Sequence, residues 1–418
     1  MDRLWSSLGD LRDPRLDTCD SFGDKLSCKT TVFLLFLFSI VLTVKQHYVG
    51  DPIQCWTPDH FKKSHHKYTQ QLCWINNTYY LSWNQTYIPK TDDGKAYIGY
   101  YQWTSIILSC QAVLFAFPRM LWVTFNKKSG MDVTTITGAA LDCQGTQENA
   151  GREKIKKYMA NHMNRFLGEV RGKLGVSRNK LVGCWWQFYG SFLSFLYIGV
   201  KIIYVLNAVF QLLALEHLLG LRQNLYGVDF FVRLFSESAG IESPLFPRVA
   251  YCDFKVRYVG NVMPYTVQCS LPINLFNEKI FILVWFWLIF IVFTSSLGLL
   301  VWLWRFMYMG QHVNWVRIRL YSLDAGLNAP VKEFRVFVNH YLRRDGIFIM
   351  YLIAINTSDI IASEMLAELW KLFQKDRDKI DQEIKQLDEE YEPNATPMSD
   401  KRNLTESLPK VVPAKSVY

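Results

Sequence analysis

The sequence predicts an all-α membrane protein with four transmembrane helices, an extracellular module of two disulfide-stapled loops, and a cytosolic helical domain. Three observations lead to this fold class: four apolar runs, basic residues concentrated in one connection, and cysteine pairs in the other two connections. Half of the 418 residues are apolar and 15% are aromatic, yet 20% are charged, so only part of the chain can lie in lipid. The net charge of +9 matters less than the placement of the basic residues.

The first span is expected at residues 30–46, after a cytosolic N-terminal segment of residues 1–29. No small-residue cleavage site follows the apolar run, so we expect this span to remain as a signal anchor. The run itself holds only 15 residues, so it needs interfacial flanks or shielding neighbours to cross a bilayer. Met1 to Leu11 is loosely amphipathic, which fits either an interfacial helix or a helix folded back into a pore.

The second span is expected at residues 100–125, and its two ends differ in a way that sets its direction. Basic residues lie at its far end, which places that end in the cytosol. Its outer end opens with an aromatic belt of the kind found at lipid headgroups, formed by Tyr100, Tyr101, Gln102 and Trp103. Pro118 lies near the cytosolic end, where it favours a kink that serves either gating or packing.

The third and fourth spans are expected at residues 183–215 and 280–304. The third run is longer than a bilayer requires, so the helix either tilts strongly or continues beyond the membrane. Lys201 lies within it, and such a residue is either a functional site or a lysine that snorkels to the interface. Four spans place both termini on the same side of the membrane.

The basic residues decide which side that is. Residues 126–182 carry eleven Lys and Arg, about twice the number in either of the other connections, and are therefore the cytosolic loop. Residues 47–99 and 216–279 are then the extracellular loops. Residues 305–391 are expected to form a cytosolic helical domain. The tail at 392–418 is rich in Pro, Asn, Ser and Lys and is expected to be disordered.

Two cysteines fall in each extracellular loop: Cys55 and Cys73 in the first, Cys252 and Cys269 in the second. The exterior is oxidising, so these four form the natural disulfide set, for which three pairings are possible. Cys55 and Cys269 lie at similar distances from their neighbouring spans, and the other two lie farther out. This spacing favours the nested pairing of Cys55 with Cys269 and of Cys73 with Cys252.

Catalysis and metal binding find little support in the sequence. Three histidines lie between Cys55 and Cys73, but not at the tight spacing of a tetrahedral zinc site, so we expect no metal. No residues pair a nucleophile with a base, and no glycine motif for a nucleotide is present, so we expect neither an enzyme nor a cofactor. Nothing in the chain suggests a nucleic-acid partner.

The pattern of spans, cysteines and aromatic residues resembles the innexins, the invertebrate gap-junction proteins. The resemblance rests on four spans, two cysteines in each outside loop, and Tyr100-Tyr101-Gln102-Trp103 at the start of the second span. The second outside loop up to Phe281 and the pair Asp345-Gly346 resemble the family as well. The resemblance covers roughly residues 1–375. Connexins have three cysteines per loop and pannexins lack the tetrapeptide, so both match less well.

The resemblance implies a plasma-membrane channel subunit in gap junctions. Same or related subunits would form a ring, expected to be an octamer, that docks with an opposing channel and passes ions and small metabolites. The nested disulfides would hold the docking loops. The N-terminal residues would line a funnel at the cytosolic mouth, namely Met1, Asp2, Arg3, Leu4 and Trp5. The alternative is a non-conducting four-span adhesion or junctional scaffold with the same topology.

Three further signals concern partners and modification. Asn76 and Asn84 begin glycosylation sequons in the first extracellular loop, where an occupied site would oppose docking and favour a hemichannel. Arg152 to Phe166 is a basic amphipathic stretch, which fits a solvated helix face or a site for calmodulin or membrane lipid. The last three residues weakly resemble a ligand for a PDZ protein.

Overall fold

Within the part of the chain that the structure describes, four helices are long and apolar enough to cross a membrane, in agreement with the four predicted spans. The computed structural model describes residues 21–81, 95–128, 131–146, 148–176, 190–218, 246–326 and 329–377. In chain order, its helices are α1 (Phe22–His47), α2 (Lys63–Ile75), α3 (Thr104–Lys128), α4 (Val133–Gly145), α5 (Asn149–Val176), α6 (Phe192–Leu218), α7 (Pro272–Met307), α8 (Met309–Tyr321), α9 (Val331–Val336), α10 (Arg343–Asn356) and α11 (Asp359–Lys375). The first to fourth spans are α1, α3, α6 and α7.

The first span is longer than the apolar run suggests. It begins at Phe22 rather than near Thr30, and its first turns include a π-helical segment at Leu26–Thr30. The 26 residues of α1 are enough to cross the hydrocarbon core, so the length deficit seen in the sequence disappears. Within the bundle, α1 packs on α3, α3 on α6, and α6 on α7. Residues 183–189 of the predicted third span lie outside the described residues.

The spans pack through apolar side chains that face one another inside the bundle. Leu35 and Leu42 on α1, Phe115 on α3 and Leu288 on α7 are fully buried in this layer. The opposite face of α1 is exposed and apolar between Phe33 and Val44, with Phe33, Phe36, Leu37, Ile40, Val41 and Val44 in one stripe. The polar residues Ser39 and Gln46 are instead buried and donate hydrogen bonds to the carbonyls of Ser105 and Tyr101.

The extracellular module contains an antiparallel sheet that the sequence analysis does not predict. Its strands are β1 (Gln54–Trp56), β2 (Thr78–Tyr80), β3 (Ala96–Ile98), β4 (Val249–Tyr258) and β5 (Asn261–Ser270), in the spatial order β1-β5-β4-β2-β3. Strands from the first loop therefore flank a long hairpin from the second. The hairpin pairs from Val249↔Ser270 to Tyr258↔Asn261. Its two-residue turn has positive φ at Val259 (46°) and Gly260 (87°), the form that matches strand twist.

The cytosolic helices share one core, as the predicted helical domain requires. This core joins α4 and α5 from the middle connection to α8–α11 from the C-terminal region. Its centre is an aromatic cluster in which Phe334 stacks on Trp370 at a centroid distance of 4.9 Å and Phe337 contacts both Trp370 and Phe373. Helix α10 is buried along nearly its full length, which explains why ten apolar residues here need no membrane.

Candidate functional site: the two ends of the membrane bundle

Two disulfides join the extracellular loops. Cys55 bonds Cys269 with their Cα atoms 3.9 Å apart, and these two residues are also direct partners in the β1–β5 ladder. Cys73 on α2 bonds Cys252 on β4, with a Cα distance of 5.8 Å. This is the nested arrangement that the sequence spacing favours. The sulfurs of Cys55, Cys73 and Cys269 lie within 4.8 Å of one another because the bridges are adjacent, and as disulfides they are not thiolate ligands for a metal.

The motif at the start of the second span fixes the extracellular module to the membrane bundle. Gln102 donates its side-chain amide to the carbonyl of Trp74 on α2. Tyr101 is fully buried and packs on the ring of Trp74 at 4.9 Å, while its carbonyl accepts a 2.9 Å hydrogen bond from Gln46 on α1. Tyr100 meets Phe246 of the second loop at 5.5 Å. We call these contacts the outer joint; it links two spans to both extracellular loops.

The tetrapeptide is predicted to form an interfacial aromatic belt, but in the structure Trp103 alone is strongly exposed. Trp103 is 58% exposed, whereas Tyr101 has no exposed surface. The joint depends on Gln102 meeting a carbonyl 28 residues earlier in the chain, and a backbone acceptor leaves no mark in the sequence. The role of Gln102 is therefore visible only in the structure.

Pro118 in the second span has a partner on the third. A proline inside a helix removes the hydrogen bond to the carbonyl four residues earlier, which is that of Leu114. In the structure this carbonyl accepts a 3.2 Å hydrogen bond from the side-chain amide of Asn207 on α6. Re-satisfying a freed carbonyl from a neighbouring helix is how membrane helices tolerate proline. The contact ties the Pro118 position to the packing of α3 on α6.

A buried ion pair lies at the cytosolic end of the bundle. Lys201 on the third span lies 2.7 Å from a carboxylate oxygen of Asp24 on the first, and both side chains are at most 3% exposed. The same oxygen accepts hydrogen bonds from the Ser21 hydroxyl at 2.9 Å and from the Tyr197 hydroxyl at 3.3 Å. Lys201 also contacts the hydroxyl of Ser21 and lies over the ring of Tyr197. We call Ser21, Asp24, Tyr197 and Lys201 the inner network.

The inner network explains why the first span begins early. A lone carboxylate at this depth would be costly to bury, but its pairing with Lys201 lets the helix include Asp24. Lys201 therefore does not snorkel to the interface. Gly23 permits the close approach of α1 to the fourth span, since a Cβ there would lie 3.2 Å from the carbonyl oxygen of Thr294. Three of the four spans thus meet at this point.

Comparison with known proteins assigns the chain to a family. The sequence model of the Innexin family matches residues 20–373. The chain belongs to the innexin family. It is similar to Innexin unc-9 of Caenorhabditis elegans, 33% identical over 356 residues that cover 84% of this chain and 91% of that protein. Innexin-3 of the same organism is 34% identical over 365 residues, covering 85% of this chain and 84% of the relative.

Family membership confirms the resemblance seen in the sequence and fixes the broad role of the protein. Innexins are gap-junction channel proteins of the plasma membrane rather than enzymes. This innexin is accordingly a gap-junction channel subunit that assembles with other innexin subunits. The outer joint and the inner network are then the two ends at which one such subunit is held together.

A cytosolic carboxylate caps the third span of this innexin. Asp345 on α10 accepts hydrogen bonds from the backbone amides of Leu193 (3.3 Å) and Ser194 (2.9 Å) and from the Ser194 hydroxyl (2.8 Å). These amides belong to the first turn of α6, which otherwise lacks acceptors. Burial raises the pKa of Asp345 to about 6, although the hydrogen bonds from Ser194 and Leu193 oppose that rise. The cytosolic domain and the membrane bundle meet through this cap.

The basic amphipathic stretch from Arg152 to Phe166 lies on α5 inside the cytosolic core. Its apolar face is buried, with Met159 and Met163 fully enclosed. On its polar side, Arg152 and Lys156 both pair with Glu364, at 3.0 and 3.5 Å. Calmodulin would need this apolar face free, so its binding would require the helix to leave the core.

Several predicted site residues lie outside the described part of the chain. They are the funnel residues Met1, Asp2, Arg3, Leu4 and Trp5, the second sequon residue Asn84, and the C-terminal tail with its PDZ-like end. Asn76, the first sequon residue, is described: it is exposed at the end of α2.

Proposed function

We propose that this innexin forms a ring, expected to be an octamer, around an aqueous pore, and that rings on adjacent cells dock. Ions and small metabolites pass through the joined pore without chemical change. The observation that carries this proposal is the construction of the extracellular module. Both loops form one sheet, two disulfides close it, and the outer joint fixes it to the spans. A surface ordered in advance loses little conformational freedom when it docks.

The β4–β5 hairpin is the part of the module best placed to meet an opposing channel. Strand β5 ends next to the fourth span, so its other end points away from the membrane. The turn lies eight residues beyond Tyr251, roughly 26 Å along the strand. Val259 at the turn is 87% exposed, and Val262 and Met263 beside it are also exposed apolar residues. Apolar surface at a projecting tip is typical of a contact site.

The position of Asn76 bears on the question of a hemichannel. Asn76 follows Ile75, whose carbonyl accepts a 3.4 Å hydrogen bond from Gln102 at the outer end of the second span. A glycan on Asn76 would therefore project at the membrane end of the module, far from the hairpin turn. We propose that Asn76 tolerates a glycan in a docked channel, which leaves Asn84 as the sequon able to block docking.

The inner network supports the proposal that the N-terminal segment forms the cytosolic funnel. It fixes the chain at Ser21 and Asp24, at the start of the first span and within the predicted N-terminal segment of residues 1–29. The exposed face of the first span is apolar and cannot by itself line an aqueous pore. The amphipathic residues from Met1 to Leu11 supply the chemistry to cover such a face and present polar groups to the pore.

The test is electrical coupling between two cells that both express the protein, with current across each single membrane recorded in parallel. We expect transjunctional current in the wild type if Asn84 carries no glycan, and only in Asn84→Gln if a glycan on Asn84 blocks docking. Asn76→Gln is the matched control and should leave coupling unchanged. Met263→Asp at the hairpin should abolish coupling but retain single-membrane current. Current across the single membrane alone, in all variants, would mean a hemichannel.

The alternative, a non-conducting adhesion or junctional scaffold, predicts a different result in the same cells. A non-conducting adhesion protein would accumulate at contacts between cells and carry no current in either arrangement. Absence of current from assembled rings, verified by surface labelling and electron microscopy of purified protein, would overturn the channel proposal in favour of the scaffold.

A further inference from the structure

A cleft of about 730 Å³ opens where the fourth span leaves the membrane, between the end of α7 and the following helix α8. Its two sides differ in chemistry. The α7 side presents apolar and aromatic groups, including Leu300 and Trp304. Polar groups come from Arg305 in the last turn of α7 and from the side-chain amides of Gln311 and Asn314 on α8. One end of the cleft therefore suits hydrocarbon and the other suits a polar, anionic group.

The apolar side continues a longer feature of the fourth span. Exposed apolar residues follow one side of α7 at alternating intervals of four and three residues: Phe286, Phe290, Phe293, Leu297, Leu300 and Trp304. This spacing keeps them in a single stripe on a helix. At 1.5 Å per residue the stripe is about 27 Å long, close to the thickness of the hydrocarbon core. The cleft is the cytosolic end of a stripe with the dimensions of a membrane.

The polar side carries positive charge that the protein only partly neutralises. Arg305 lies over the rings of Trp302 and Tyr351 at 5.4 and 5.2 Å, and in the described ranges no carboxylate lies within ion-pair distance of it. Arg319 pairs with Asp359 at 2.6 Å, so its charge is largely compensated. The main uncompensated cation in the cleft is therefore Arg305.

A neighbouring histidine responds to the same positive potential. His312 on α8 is buried and hydrogen-bonds the hydroxyl of Tyr351 through Nδ1 at 3.1 Å. Burial lowers its pKa, a hydrogen bond with the Arg305 backbone opposes this, and the charges of Arg344 and Arg305 lower it further. Among the described residues, the charged and titratable groups at the cleft and in the layer behind it are Arg305, His312, Arg319, Arg344, Tyr351 and Asp359.

We propose that this cleft binds an anionic phospholipid of the cytosolic leaflet. The acyl chain follows Leu300 and Trp304 along the stripe, and the phosphate lies against Arg305. Anionic lipids concentrate in the cytosolic leaflet, guanidinium groups match phosphate geometry, and tryptophan favours the headgroup level. A soluble anion would make no use of the apolar stripe, and a neighbouring subunit would have to supply a counter-charge for Arg305.

The experiment measures lipid bound to the purified full-length channel in detergent by native mass spectrometry, with dioleoylphosphatidylserine or dioleoylphosphatidylcholine added. Arg305→Gln should weaken phosphatidylserine binding about fivefold and leave phosphatidylcholine binding unchanged, since one basic group near the headgroup is removed. Gln311→Glu adds a negative charge at an exposed position of the cleft and should weaken it to a similar degree. Arg335→Gln, an exposed arginine on α9 away from the cleft, is the matched control.

Three outcomes would overturn the proposal. The first is equal phosphatidylserine binding by the wild type and both cleft variants, each shown to be folded by circular dichroism and elution volume. The second is competition by water-soluble glycerophosphoserine as strong as that by the lipid, which would assign the site to a soluble anion. The third is loss of ring assembly in Trp304→Ala with lipid binding intact, which would make the face a subunit interface. Because the readout is binding, its failure leaves the proposed conduction untouched.

Discussion

The outer joint and the inner network both hold the spans of one subunit together, but they do so with different chemistry. Outside the cell, the loops are closed by two disulfides and by neutral hydrogen bonds such as that of Gln102 to Trp74. Inside, where thiols stay reduced, the first and third spans are joined by the Asp24–Lys201 ion pair. The covalent end holds its geometry as long as the exterior stays oxidising. The ionic end holds only while both charges are present and shielded from water, so it is the end at which the subunit can change.

Removing the covalent end should have the largest effect. Cys73→Ser separates α2 from β4 and should lower the free energy of unfolding of the module by about 2–5 kcal/mol. We expect loss of surface protein and of coupling, measured by surface biotinylation and dual-cell recording. Cys110→Ser, a free cysteine in the second span, is the control and should behave as the wild type. Normal coupling by Cys73→Ser would show that the module does not need its second bridge.

Breaking the ionic end should lower the free energy of unfolding to a similar extent, and the loss should depend on whether one partner is removed or both. Asp24→Asn or Lys201→Met leaves one buried charge unpaired, which costs about 3–5 kcal/mol. The double variant Asp24→Leu with Lys201→Met leaves no charge and should recover most of the stability. Its thermal unfolding in detergent is compared with that of each single variant.

The same variants distinguish a structural pair from one that positions the funnel. If the inner network positions the N-terminal segment, the double variant should fold normally but show altered single-channel conductance. Wild-type conductance in the double variant would restrict the pair to a role in stability.

Protonation offers a milder test on the cytosolic side. The pKa of Asp345 in the folded protein is about 6, above its ordinary value of 3.8, so the folded state binds a proton more tightly than the unfolded state. This group therefore stabilises the fold below about pH 4, and its contribution is lost as the pH rises through about 6. Asp345→Asn should flatten the dependence of the unfolding temperature on pH between these values. An unchanged profile would mean that Asp345 does not titrate there.

The smallest expected effect lies between the two ends, at the proline of the second span. Asn207→Ala leaves the Leu114 carbonyl without its donor and should lower the free energy of unfolding by about 1 kcal/mol. In a Pro118→Ala background the helix can satisfy that carbonyl itself, so the same change should cost less. Equal shifts in unfolding temperature in both backgrounds would show that the role of Asn207 does not depend on Pro118.

The features that can be predicted from the sequence are those that produce a pattern among neighbouring residues. Apolar runs predict four spans, and the distances of Cys55 and Cys269 from their spans favour the nested disulfides. The first span appears too short because Asp24 and Lys25 interrupt its apolar pattern. Lys201, on a helix about 180 residues away, compensates the charge of Asp24, and Lys25 donates a 3.5 Å hydrogen bond to the side-chain carbonyl of Asn356. Long-range pairing of this kind has no signature in a single sequence.

The sheet is missed for a related reason. Strands β1 to β3 have three residues each, too few for an alternating pattern to register. The hairpin leaves a stronger trace, since β4 and β5 are rich in Val and Tyr and flank Val259-Gly260. Val259 occupies the first turn position, where Asn usually precedes Gly, so the sequence lacks the dipeptide typical of this turn.

The nested disulfides also impose an order on the synthesis of each subunit. Cys55 and its partner Cys269 are separated by 214 residues, and Cys73 and Cys252 by 179. At roughly 5–20 residues per second of translation, the thiol of Cys55 waits roughly ten to forty seconds before its partner emerges. During that interval three spans are already inserted and the first loop is unpaired. A chain that stops before Cys252 closes neither bridge, so oxidation of both bridges marks a subunit whose second extracellular loop has been synthesised.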